Sequence, residues 1–152
     1  MRLRPARADE GPALTELCLR SKASHGYDDA FIEACRAELT VDPSKPCLVV
    51  AENDGVVVGV AEISTAGSKA ELNKLFVEPA IHGKGVGRVL FEWAKGEAAR
   101  SGARVLAFDA DPGAVAFYEK MGAGIVGRSP SGSIPGRFLP RLELRLDAHA
   151  AD

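Results

Sequence analysis

Apolar residues recur at helical spacing twice near the start of the chain. Leu14, Leu17 and Cys18 mark one helix, which Asp9 is placed to cap and Gly26 to break. Asp28 or Asp29 opens a second helix carrying Phe31, Ile32, Cys35 and Leu39, and Pro43 and Pro46 close that region. Residues 2–6 read as a short first strand. From Cys47 the period changes. Residues 47–51 and 56–63 are valine-rich runs around Asn53-Asp54-Gly55, and an Asp-Gly turn between β-branched runs predicts a hairpin. Residues 71–77 alternate, with Glu71, Asn73, Leu75 and Val77 on one face and Leu72, Lys74 and Phe76 on the other.

Glu78-Pro79 ends that strand, and a glycine-rich segment follows, His82-Gly83-Lys84-Gly85-Val86-Gly87-Arg88. Beyond it Val86, Val89, Leu90, Trp93 and Ala94 form one face of a helix running to about Arg100, with Gly102 as its stop. Residues 105–108 read as a short buried strand. Asp111-Pro112 starts a further helix, with Val115, Phe117, Tyr118 and Met121 on its apolar face. Ile125-Val126 suggests a strand, residues 129–136 a Ser/Gly/Pro loop, and Leu142, Leu144 and Leu146 a last strand with one wet face. This order predicts an α/β (α+β) chain, a mixed sheet with helices on both faces. We expect one domain over residues 1–147 and a frayed tail at 148–152.

Composition narrows the function more than the fold. The chain has 152 residues and a formal net charge of −2, which argues against a nucleic-acid binder tracking phosphates with a basic excess. No apolar run approaches the roughly 18 residues of a membrane span. The N-terminal segment lacks the apolar stretch of a signal peptide. Cys18, Cys35 and Cys47 are too scattered for a disulfide framework, and no histidine flanks them at metal-ligand spacing. The expected setting is a reducing cytoplasm, with no metal.

A strand, a tight glycine turn and a helix make an anion site, because the first-turn amides are unpaired and the helix dipole adds positive charge there. Glycines let that backbone approach a phosphate closely. A Walker loop would need GxxxxGK[ST], and the Lys-Ser/Thr pair is missing. A dinucleotide GxGxxG fails at Arg88. The segment fits instead an acyl-CoA pyrophosphate loop, [QR]xxGx[GA], after a strand that ends Leu75-Phe76-Val77-Glu78-Pro79. Here the chain resembles the GCN5-related N-acetyltransferase (GNAT) superfamily, with His82 where the family prefers Gln or Arg. The segment from Asp111 to Ala123, DPGAVAFYEKMGA, is similar to the family's N-P-x-A-x-x-F-Y-E-K-x-G-F, with Asp111 for asparagine and Ala123 for an aromatic.

The resemblance implies a GNAT fold, a mixed but mostly antiparallel sheet of about six to seven strands. It implies acetyl-CoA as co-substrate, held by Leu75, Phe76 and Val77, by His82, Gly83, Lys84, Gly85, Val86, Gly87 and Arg88, and by Asp111, Ala114, Phe117 and Tyr118. Amine acetylation needs a base for the ammonium, a donor to the oxyanion and an acid for the departing thiolate. A phenol with a pKa of about 10 suits the last task, which points to Tyr118. The oxyanion donor is expected to be a backbone N–H within 75–77, where the family has a bulge that splays two strands. Glu71 is the first choice for the base and Glu62, on the preceding strand, the second; a water chain is the alternative. Arg137, just after the Ser/Gly/Pro loop, reads as a surface arginine.

Two rival readings stay open on the sequence. One is a catalytically silent acyl-CoA sensor of the same fold, and the other a P-loop-like nucleotide binder. The acceptor is a small-molecule or peptide amine, and the chain a monomer or homodimer.

Overall fold

The hairpin signal is realised in the computed structural model, which describes residues 1–146. Asp54 and Gly55 both take left-handed φ, 52° and 80°, and join β2 (Leu48–Asn53) to β3 (Val56–Ala66). The other strands are β1 (Arg2–Arg4), β4 (Lys69–Val77), β5 (Val105–Asp109), β6 (Gly124–Pro130) and β7 (Phe138–Arg145). The helices are α1 (Gly11–Ala23), α2 (Asp29–Leu39), α3 (Val86–Arg100) and α4 (Val115–Lys120). The strands run in the order β1-β2-β3-β4-β5-β7-β6 in one seven-stranded sheet. Only β4 and β5 pair in parallel among the described ladders, so the sheet is mixed and mostly antiparallel, as expected. The expected tail at 148–152 lies outside the described residues.

The chain divides into two compact units. The first holds Met1–Glu62 and Lys74–Phe91, and the second holds Ile63–Asn73 and the chain from Glu92 onward. In the first, Val50 and Val60 are fully buried beneath Leu14, Leu17 and Cys18 of α1 and Cys35 and Leu39 of α2. The opposite face of β3 meets α3. A Cβ on Gly59 would stand 2.8 Å from Leu90 Cδ1 and 3.1 Å from Val86 Cγ1, so glycine lets the start of α3 lie against the strand. Helices therefore cover both faces of this unit. Asp28 caps α2, its side chain accepting from Phe31 N at 2.9 Å.

Asp9 does not cap α1. Glu10 holds the N-cap position without a side-chain cap, since its carboxylate accepts from Arg4 at 2.9 and 2.8 Å and from Arg7 N at 2.7 Å. Arg4 also reaches Glu52 at 2.7 Å, which ties β1, β2 and the entry to α1 together.

In the second unit β5 lies between β4 and β7. Leu106 and Phe108 face α4, while Ala107 and Asp109 face the other way. Two sequence expectations shift here. The segment 129–136 is not all loop, because Ser129 and Pro130 pair with Leu139 and Phe138 in a β6–β7 hairpin. β6 is exposed nearly throughout, so no burial alternation announced it. The helix expected from Pro112 begins as a single 3-10 turn, Pro112–Ala114, before α4.

Candidate active site

The first unit carries the glycine turn. β4 ends at Val77, a 3-10 turn covers Pro79–Ile81, and α3 starts at Val86. Gly83 and Gly85 both have left-handed φ, 83° and 84°, a conformation that L side chains rarely adopt. No heavy atom lies within 4 Å of a Cβ built on either, so the backbone there faces open space. Gly87 sits in the first turn of the helix itself. Val89 N donates to Gly85 O at 3.2 Å, and by helix geometry the amides of Val86, Gly87 and Arg88 have no intrahelical acceptor. Lys84 and Arg88 are exposed at the rim.

His82 turns back rather than out. Its Nε2 lies 3.2 Å from Val77 O, a contact in which the ring N–H donates. Where the family prefers Gln or Arg, this ring ties the turn to the end of β4. A second tie escaped the sequence reading: Arg20 of α1 donates to both oxygens of Glu78, at 3.1 and 2.7 Å. Leu75 and Phe76 are half-buried and Val77 is buried, with Phe76 packed against the α1–α2 core. The alternation read for residues 71–77 holds from Glu71 to Asn73 and is lost at Lys74, Leu75 and Phe76, all half-buried. Glu62, in the middle of β3, is only 7% exposed.

The second unit carries Tyr118, the expected acid, and Glu71, the first choice for the base. Tyr118, on α4, has its ring buried against Phe108, with centroids 4.5 Å apart, and edge-on to Phe117. Burial pushes the phenol above its ordinary pKa, so it stays protonated at neutral pH. Asp111 caps the following turn, accepting from Gly113 N at 2.9 Å, and Arg137 Nη2 lies 3.7 Å from its carboxylate. Arg137 is therefore not a free surface arginine. Ala114 and Phe117 are half-buried on the same short segment.

Glu71 is paired with Ala107 across the β4–β5 ladder, which ends at that pair although β4 runs on to Val77. Both its oxygens accept from Arg141 on β7, at 2.5 and 2.7 Å, and Arg141 Nη1 also donates to Asp109 at 3.1 Å. The hydrogen bonds to Glu71, above all, raise the pKa of the guanidinium, so it is a fixed cation. In the sequence Arg141 is only part of the wet face of the last strand. Nothing local marks it as the partner of a residue seventy positions earlier. Among the described residues no group of His, Cys, Asp or Glu is placed to hold a metal ion. Nor is any helix long and apolar enough to cross a membrane.

The first unit thus holds a strand opening into a glycine turn and helix, and the second a buried tyrosine on a short helix after a capping aspartate. The profile of the acetyltransferase (GNAT) family matches residues 12–123, and the chain belongs to that family. The peptidyl-lysine N-acetyltransferase YjaB of Salmonella typhimurium is 30% identical over 145 residues, covering 93% of this chain and 95% of the relative. Among solved structures, a GCN5-related N-acetyltransferase from Rhodopseudomonas palustris has a TM-score of 0.79 at 24% identity, covering 95% of each chain. The putative acetyltransferase YncA of Salmonella typhimurium, solved with acetyl-CoA, has a TM-score of 0.69 at 25% identity, covering 100% of this chain and 97% of its own.

Proposed function

We propose that the protein transfers the acetyl group of acetyl-CoA directly to a primary amine within a ternary complex, and that the amine is a lysine side chain of a peptide or protein. The observation that carries the first part is the turn itself, with left-handed Gly83 and Gly85 feeding a 15-residue helix. The open space at both glycines suits a pyrophosphate against bare backbone. The lysine acceptor is supported by the likeness to YjaB over nearly the whole chain.

The chain's own groups divide the work. First-turn amides of α3 bind the pyrophosphate, and Lys84 and Arg88 add charge at its rim. The main chain of 75–77 approaches the acyl arm and donates to the developing oxyanion. Glu71 takes the proton from the acceptor ammonium, and the freed nitrogen attacks the thioester carbonyl. The C–S bond breaks, Tyr118 gives its proton to the thiolate, and the attacking nitrogen's second proton returns to the phenolate, which leaves a neutral amide. Asp111, Ala114 and Phe117 border the acyl arm. The three free cysteines suit a reducing cytoplasm.

The test is acetyl-CoA-dependent thiol release across a panel of lysine peptide, polyamine, aminoglycoside and free amino acid. The lysine peptide should react fastest. Tight CoA binding with no thiol release on any amine would replace this reading with that of a silent acyl-CoA sensor.

A further inference from the structure

We propose that Arg141 is a positioning residue for Glu71, holding the carboxylate in place until the acceptor arrives, and that Asp109 keeps the guanidinium when Glu71 lets go. The inference rests on Glu71 as the base. It starts from the register. Ala107 of β5 is paired with Glu71 on one side and Glu143 on the other, and Asp109 is paired with Arg141. Glu71, Ala107, Asp109 and Arg141 therefore share one face of the sheet. Ala107 has no side chain beyond Cβ, so Arg141 can cross β5 above it and reach the carboxylate on β4.

The neighbours leave the guanidinium with two partners. Glu143, the next residue on that face of β7, lies 3.5 Å from Lys69. On β6 the residue opposite Arg141 is Gly127, which offers no side chain. Arg141 Nη1 is shared between Glu71 Oε2 and Asp109 Oδ1, and Nη2 is given to Glu71 alone. The cluster has two carboxylates and one cation. When a substrate ammonium takes the place of the guanidinium on Glu71, Arg141 remains neutralised by Asp109, so no unpaired charge is left in a half-buried site. The ammonium proton then passes to a Glu71 oxygen, and the nitrogen keeps the lone pair.

The test is a double-mutant cycle on the full chain, read as kcat and KM for a lysine peptide, with melting curves to confirm folding. Arg141→Gln should lower kcat roughly ten- to a hundredfold. In the Glu71→Gln background the same change should move kcat by less than about twofold. Arg141→Lys should recover part of the loss, since it keeps the charge but not the fork. Asp109→Asn should slow the wild type and leave Glu71→Gln unaffected. An equal fold-drop from Arg141→Gln in both backgrounds would overturn the proposal, because Arg141 would then act without Glu71. Full activity of Glu71→Gln would also overturn it, while the wild type's thiol release would still stand for the acetyltransferase reading.

Discussion

The glycine turn is assembled from one continuous stretch, with Val77, His82, Gly83, Gly85 and the start of α3 following one another along the chain. The Glu71–Arg141–Asp109 cluster draws one residue from each of three strands, and its defining contact joins positions seventy residues apart. The first is a backbone device. Its shape is set by which residues tolerate left-handed φ, and its charge by unpaired amides and a dipole. The second is a side-chain device, and strand register decides its geometry. A backbone site built locally is broken by one misplaced Cβ. A register-built cluster is broken by losing either partner, and it is invisible until the strands are paired.

The largest effect should come from Gly85→Asp, which forces a side chain into a φ of 84° and brings a negative charge to the anion cradle. CoA affinity by calorimetry should fall by more than about a thousandfold, or ~4 kcal/mol; an unchanged affinity would remove the turn from the site. Tyr118→Phe touches neither of these two devices but the short helix α4 of the second unit. It should lower kcat by roughly a hundredfold or more while CoA affinity stays within about twofold. Equal turnover would end its role as the acid.

Gly59→Ala sharpens the contrast, since it strikes the turn from beneath. The new Cβ meets Leu90, Val86 and the fixed carbonyl of Phe76 at 3.2 Å, so the start of α3 must shift. Thermal unfolding should show a loss of about 1–3 kcal/mol, accompanied by weaker CoA binding. Gly124→Ala on exposed β6, with no atom within 4 Å, should stay within about 0.5 kcal/mol. If the two substitutions cost the same, the close approach at Gly59 is not what seats α3.

The smallest effect is one of pH on the first unit. The Arg4 guanidinium, hydrogen-bonded to Glu10, lowers that carboxyl from 4.5 to about 2. A folded-state pKa below the unfolded one contributes stability that is fully present above pH 4.5 and is lost as pH falls towards 2. Melting temperature should drop across that window, and that of Glu10→Gln should drop less. Parallel curves for the two proteins would deny Glu10 that part.

Much of this molecule was legible before any contact was known. The Asn53-Asp54-Gly55 turn, the Asp28 and Asp111 caps and the glycine turn each rest on residues within a few positions of one another, where backbone preference suffices. Asp9 shows where that logic stops. It was a sound local cap, and α1 nevertheless starts from Glu10, whose carboxylate is claimed by Arg4 on β1. β6 was cut short for a related reason. A strand exposed nearly throughout leaves little hydrophobic signature. His82 was readable as a departure from the family pattern, but its hydrogen bond to Val77 was not.

The sequence by itself determined the order of elements, the place where a helix opens through left-handed glycines, and the short helix that carries Tyr118. All of these follow from φ preferences, caps and hydrophobic period, which act over a few residues. Only the tertiary structure decided the partners of the charged groups. Arg141 takes Glu71 and Asp109, Arg20 takes Glu78, and Arg4 gathers Glu10 and Glu52. The physical reason is that a charge attracts any opposite charge within reach, so its partner is whichever residue strand register and helix packing bring near.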